Sequence, residues 1–220
     1  MKNKIDHTTS GLVAIYKPAG PTSHDIVDMV RRATGVKKVG HAGTLDPLAR
    51  GVLVVAIGRE ATKQISDVVA KEKEYIARVR LGVTSTTDDE EGEKEVRDIE
   101  KVSRSKVEKV VEKFVGEIEQ VPPIYSAVKI AGQEAYKRAR RGEEVKMKLR
   151  QVEIKEIEIL DYEWPYLQLR VVTEPGVYIR SLARDIGEKL GVGGYLADLE
   201  RTRVGDFRKE EAIRIENGKK

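Results

Sequence analysis

The sequence predicts an α+β fold: a mixed, mostly antiparallel central sheet with flanking helices. Three observations predict it. Residues 52–57, VLVVAI, are a continuous apolar run of the kind found in buried strands. Residues 73–83 alternate, with Tyr75, Ala77, Val79 and Leu81 on one side and Arg78 and Arg80 on the other, Ile76 being the exception. That pattern suits an antiparallel strand with one wet face. Between such strands lie stretches of helical period, and strands interspersed with helices imply an α+β arrangement.

Taken in order, residues 11–16, GLVAIY, read as a short strand ended by Lys17-Pro18. Thr22 or Ser23 can cap a helix whose apolar residues Ile26, Val27, Val30 and Ala33 recur at helical spacing, with Gly35 as its stop. Residues 39–51, VGHAGTLDPLARG, read as an irregular loop holding one carboxylate, Asp46. Gly40, Gly43 and Gly51 open backbone angles closed to other residues, and Pro47 biases Asp46 toward an extended conformation. Residues 60–70 are predicted helical, with Ala61, Ile65, Val68 and Val69 on one face. Residues 88–100 are expected as a loop or exposed turn. Ser105 and Glu108 have capping-box spacing, which predicts a helix through Glu119, broken by Val121-Pro122-Pro123. Residues 126–130, 151–160 and 166–173 are predicted strands, and 131–150 a polar, basic excursion between glycine-marked ends. Gly176 leads into a helix over about 178–190, ended by Gly191, and a last strand is placed at 203–208. The expected organisation is a polar tail at 1–10, one domain over 11–208 and a C-terminal tail at 209–220.

Composition narrows the classes. At 220 residues, with 40% hydrophobic and 35% charged residues, the chain has the balance of a soluble globular domain. No apolar run is long enough to span a membrane, and residues 1–10 lack a signal peptide's apolar core. Without cysteine there is no disulfide, thiolate nucleophile or cysteine-based zinc site, which fits a cytoplasmic location. The three histidines, His7, His24 and His41, are scattered, so a metal cluster is not expected. Net charge is only +4, yet it is unevenly spread. Residues 88–100 carry eight acids and two bases, residues 133–150 seven bases and three acids. One part of the surface is therefore suited to a polyanion and another repels it, unless the basic run is simply a solvated helix face.

The 39–51 loop is the candidate site, because a loop anchored on a buried strand is where catalytic groups concentrate. On residue type alone, Asp46 and Thr44 serve equally well as turn caps. Tyr75, Tyr178 and Leu199 pass as core residues on spacing alone, and Arg180 as a helix-end arginine.

The motif GHAGTLDPLARGVL resembles the signature of the TruB-type tRNA pseudouridine synthases. Three more blocks agree in the same order: LVAIYKPAGPTSHDIV at 12–27, KEYIARVRLGVTSTTDDEEG at 73–92 and GVYIRSLARDIGEKLG at 176–191. The resemblance runs from about Leu12 to Phe207. It implies a pseudouridine synthase fold, and conversion of uridine to pseudouridine, at position 55 of the tRNA T-arm, without cofactor or metal. It makes Asp46 the nucleophile, with attack at C1′, attack at C6 and assisted glycal formation all open. It pairs Arg180 with Asp46, and makes Tyr75 the active-site tyrosine that stacks on the extruded uracil and can serve the C5 proton. It places Tyr178 and Leu199 against the base, sets His41 in the RNA loop beside the flipped base, and gives Lys17 a supporting role at the pocket or a phosphate. It assigns 131–150 to gripping the tRNA stem-loop. Val177 stands where the family usually has Thr, a change not expected to affect the pairing. The PUA domain that usually follows in bacterial members has no counterpart before Lys220. The chain is expected to act as a monomer without an obligate protein partner. Two alternatives stand beside this reading: a guide-RNA-dependent ribosomal RNA synthase with protein partners, and an RNA-binding folding chaperone. A pure binder has no use for Asp46, Tyr75 and Arg180 together.

Overall fold

The computed structural model describes residues 5–97 and 99–215. The ends of both predicted tails, 1–4 and 216–220, and Asp98 of the acidic stretch lie outside them. The chain forms two compact units, residues 1–76 with 199–220, and residues 77–198.

In the first unit, β1 (Gly11–Lys17) leads to α1 (Ser23–Thr34). Thr22 is the N-cap and completes a capping box with Asp25, while Gly35 closes the helix at φ 71°. Ile26, Val27 and Val30 are buried as expected; the fourth buried position of the stripe is Thr34, whose hydroxyl donates to the Val30 carbonyl, and Ala33 is exposed. Then come β2 (Val39–Ala42) and β3 (Arg50–Ile57). Here the expected loop is shorter than predicted: residues 39–42 pair antiparallel with β3, His41 opposite Val55, because Val39 and Ala42 bury there. The predicted single helix at 60–70 is two short ones, α2 (Arg59–Lys63) and α3 (Ile65–Val69), and Val69 is exposed.

β3 is flanked by β1 antiparallel and, at its start, by the C-terminal part of a late strand in parallel. Its uninterrupted apolar sequence has a simple cause. Leu53, Val55 and Ile57 enter one core with Ile15, Ile26, Val27 and Val30, whereas Val52 and Val54 enter another with Val68 and Val204. A strand covered on both faces has no polar position to alternate with.

β4 (Lys73–Leu81) starts in the first unit and ends in the second. Tyr75, Ala77, Val79 and Leu81 are buried and Arg78 is exposed, as the alternation requires. In the second unit, β5 (Val83–Ser85) and β6 (Lys94–Val96) form a hairpin around the acidic turn. α4 (Arg104–Val111) is capped by Ser103, two residues before the expected Ser105. It runs into a 3₁₀ turn at Glu112–Phe114 and stops, rather than continuing to Glu119. Gly116 at φ 96° turns the chain into β7 (Gly116–Gln120). The predicted strand at 126–130 is only β8 (Lys129–Ile130), paired with β9 (Gln133–Glu134), and the basic excursion contains α5 (Ala135–Ala139). β10 (Arg150–Glu163) pairs antiparallel with β7 and with β11 (Tyr166–Thr173). α6 (Ile179–Leu190) packs on α4 and ends at Gly191. β12 (Gly194–Val204) is an eleven-residue strand of which only the last two residues were expected. β13 (Phe207–Arg208) pairs with it, and β14 (Ile213–Arg214) lies parallel to β1. The architecture is mixed α+β with mostly antiparallel pairings, as predicted.

Candidate active site

The loop carrying Asp46, residues 43–49, is tied down at most of its carbonyls, by donors from β1, α1, the connection between them and β12. At the start of α1, Ser23 is 1% exposed; its hydroxyl donates to the Leu45 carbonyl at 3.0 Å and accepts from the Leu45 amide at 2.9 Å. The Gly20 amide donates to the Pro47 carbonyl at 2.8 Å. At the end of β1, Lys17 is fully buried and spends its three donors on the carbonyls of Pro18 (3.0 Å), Pro47 (3.3 Å) and Ala49 (2.5 Å). On β12, Arg201 is 2% exposed and donates to the carbonyls of Val52 (2.8 Å), Gly43 (3.1 Å) and Thr44 (3.4 Å).

Strand register explains why two cations meet here. Lys17 on β1 stands opposite Gly51 on β3, and Gly51 stands opposite Arg201 on β12. The three residues form one row across adjacent strands, at the point where the loop enters β3. Gly51 has φ 110°, and a Cβ on it would overlap the main chain of Arg201. Only glycine lets β12 close in.

A buried cation without a facing carboxylate would be costly. Asp46 supplies charge to this pair: it favours the protonated form of both Lys17 and Arg201. Desolvation nevertheless dominates at Lys17 and brings its pKa down to about 8, with Arg201 pushing the same way and Asp46 and Asp25 opposing. Burial also lowers Arg201, against the opposing influence of Tyr75 and Asp46, which favour its charged form.

Of the predicted site residues, the first unit holds Lys17, His41, Asp46, Tyr75 and Leu199. Tyr75 is 8% exposed on β4, and Leu199 is 7% exposed on β12, one alternation before Arg201 on the same strand face. His41 packs edge-on against His24 with ring centroids 5.3 Å apart. Burial, followed by the proximity of His24 and Arg201, holds its pKa below the ordinary histidine value, so near neutral pH it is an uncharged ring.

The second unit holds Tyr178 and Arg180. Gln120 clamps the start of α6, accepting from the Tyr178 amide at 2.8 Å and donating to its carbonyl at 3.2 Å. Arg180 is buried; its guanidinium donates to the Tyr125 carbonyl at 2.8 Å and meets Asp89 at 3.3 Å. One turn on, Arg184 meets Asp88 at 2.7 Å. The acidic stretch is therefore not the exposed turn that was expected: its first two acids fold inward onto α6. Burial pushes the Asp88 carboxyl above its ordinary range despite Arg184. Beside this pair is a cavity of about 280 Å³ lined by Thr86, Val121, Pro122, Val145 and Met147.

Sequence reasoning missed Ser23 as a loop anchor, Asp89 as a partner of Arg180, and Arg201 altogether. For Arg201 a signal existed. It stands two residues after Leu199, and period-two spacing puts the pair on one face of a strand.

Comparison with known proteins identifies the family. Residues 31–179 match the model of the TruB family pseudouridylate synthase N-terminal domain, and residues 180–217 that of the tRNA pseudouridylate synthase B C-terminal domain. The tRNA pseudouridine synthase B of Thermobifida fusca is 46% identical over 215 residues, 94% of this chain and 73% of that protein. That of Parabacteroides distasonis is 43% identical over 98% of this chain and its own full length. Among solved structures, a chain of a Cbf5-Nop10-Gar1 complex superposes with a TM-score of 0.75 at 35% identity, over 95% of this chain. This chain spans 53% of that one, about half its length. With 149 of its residues inside the N-terminal family model (31 to 179 inclusive) and near-full-length relatives above 40% identity, the chain belongs to the TruB family of pseudouridylate synthases.

Proposed function

We propose that the protein isomerises uridine to pseudouridine in tRNA, at position 55 of the T-arm, in the cytoplasm. Family membership supports the reaction; the observation that carries the site is the pinned loop that presents Asp46 beside two buried cations. The reaction breaks the N1–C1′ bond, turns the base, joins C5 to C1′, and transfers the C5 proton away while N1 regains one. It is an isomerisation with no net change of atoms or electrons. Asp46 acts as the nucleophile, a role open to a positioned carboxylate. Arg180 steadies the Asp46 carboxylate, for which a guanidinium's planar fork is suited. Tyr75 stacks on the flipped uracil and its hydroxyl serves the C5 proton. Tyr178 and Leu199 contact the base, and His41 enters the RNA loop as an uncharged ring. Base–aromatic stacking of about 1–3 kcal/mol offsets part of the few kcal/mol that flipping costs. The basic 131–150 segment grips the stem-loop within a catalytic domain over 11–208.

The test is pseudouridine formation on an unmodified T-arm stem-loop by wild type and Asp46→Asn, with RNA affinity measured for both. Product from wild type alone, with affinities within about threefold, supports the reading. Tight binding without product from either protein, on the stem-loop and on full-length tRNA, points to a binding protein and sinks it. Product only with added guide RNA and protein partners would favour the guide-RNA-dependent ribosomal RNA synthase instead.

A further inference from the structure

Arg201 lies outside the four sequence blocks that carry the resemblance, yet it is the largest fully buried side chain among the described residues. An arginine in a core needs a purpose, since several kcal/mol of desolvation attach to burying its charge. Its contacts supply one. Nε donates to Val52 at the start of β3; the two terminal nitrogens donate to Gly43 and Thr44, the first residues of the Asp46 loop. Thr202, the next residue on β12, donates its hydroxyl to the Glu74 carbonyl and carboxylate, which sets Arg201 beside Tyr75 on β4, and the guanidinium lies within reach of the charges of both Tyr75 and Asp46. One rigid, planar group therefore holds the loop bearing the nucleophile and stands beside the tyrosine proposed to handle the C5 proton. Five donors in a fixed fork can do this; the three donors of a lysine on a flexible stem cannot. The glycine in the row, Gly51, exists in the form needed for the Arg201 backbone to sit this close.

We propose that Arg201 is a positioning residue of the reaction: it fixes the Tyr75 hydroxyl relative to Asp46, and so sets the rate of chemistry without setting RNA affinity. The inference rests on the pseudouridine synthase reading above and adds a residue to it. A merely structural arginine predicts something else. Its loss would lower the melting temperature and the folded fraction, while each folded molecule reacted at the wild-type rate.

Single-turnover kinetics on the T-arm stem-loop with enzyme in saturating excess separate the two, because the observed rate constant is then independent of how many molecules are folded. The variants are Arg201→Met, Arg201→Lys, Tyr75→Phe and the two double variants, each with its RNA affinity and melting temperature. A misplacement on the ångström scale costs about a hundredfold in rate. That loss is expected for Arg201→Met, with RNA affinity within about threefold of wild type, and a lesser but clear loss for Arg201→Lys. In the Tyr75→Phe background, which keeps the ring and lacks the hydroxyl, either substitution should cost less than about tenfold, since the group that Arg201 positions is already gone. Wild-type single-turnover rates in both Arg201 variants overturn the proposal, as do losses that multiply undiminished with Tyr75→Phe. Should Arg201→Met not fold, Arg201→Lys and its double variant decide by the same criteria. Failure of the wild type to make product would remove the functional reading itself, which is a different result from active wild type with indifferent Arg201 variants.

Discussion

Lys17 shows how a single residue can be both scaffold and titrating group. Its ammonium is fully buried and its three donors face three carbonyls, so it is satisfied sterically and underpaid in solvation. Desolvation moves its pKa from the ordinary 10.5 to about 8. Above that pH the neutral amine keeps at most two donors for three carbonyls, and the positive charge near Asp46 is gone. The sign for stability runs the other way. Between about 8 and 10.5 the unfolded chain binds more protons at this residue than the folded one, so its contribution to stability rises with pH. We therefore expect the single-turnover rate of the wild type to fall with a midpoint near pH 8 while this residue adds nothing to alkaline unfolding. Lys17→Arg, which does not titrate there, should lack that limb whatever its plateau rate. Rate–pH profiles beside thermal melts at each pH decide it; an identical limb in the variant would assign the titration elsewhere.

At the scale of elements, the site is a consequence of register. β1, β3 and β12 bring Lys17, Gly51 and Arg201 into one row, and the loop emerges from its middle. Gly51→Ala would drive a Cβ into the main chain of Arg201 at a φ of 110°. Backbone cannot yield as a side-chain tip does, so the strand pair must separate. The variant should lose more than about 4 kcal/mol, in the range reserved for overpacking and strain at special backbone positions, read as denaturant midpoint or as failure to accumulate folded. Gly20→Ala is the contrast: its φ of 108° carries the strain, but nothing lies within 4 Å of the added carbon. It should therefore cost clearly less. The row also marks what a sequence can and cannot disclose. The continuous run of β3 and the alternation of β4 were legible because burial on two faces or one writes itself into residue type. The helix expected through Glu119 was not, because Gly116 redirects a still helix-friendly sequence into pairing with β10. Ser103 took the cap from Ser105, which shows that matching a spacing does not choose between adjacent hydroxyls. Arg201 reads as a surface charge in LERTRVGD; its burial depends on carbonyls more than a hundred residues away in sequence.

At the scale of the whole molecule, charge is the property that a polyanionic substrate would meet, and ion pairing edits it. Asp88 and Asp89 are folded onto Arg184 and Arg180, so the acidic stretch presents fewer acids to solvent than its composition suggests. The basic excursion is edited as well. Glu143 binds Arg138 at 2.7 Å and Arg141 at 2.6 Å, and Glu134 binds Lys137 at 3.1 Å. Those partly exposed pairs contribute little to stability. Their effect is on how much positive charge is available to RNA, and a net of +4 for the chain makes each pair count. If the segment grips a stem-loop, Arg138 and Arg141 must exchange Glu143 for phosphate on binding. Each phosphate neutralised releases counterions and steepens the dependence of log affinity on log salt by about 0.7–0.9. Glu143→Gln frees both arginines before binding, so affinity for the T-arm stem-loop should rise, most at low salt, while the number of phosphates engaged stays the same and the slope changes little. Replacing Arg138 and Arg141 with Gln together should instead flatten the slope by about 1.4–1.8 and leave the single-turnover rate at saturating enzyme unaltered. A salt titration of binding by all three proteins tests this. A slope untouched by loss of both arginines would place the phosphate contacts on other parts of the surface and deny the excursion its gripping role.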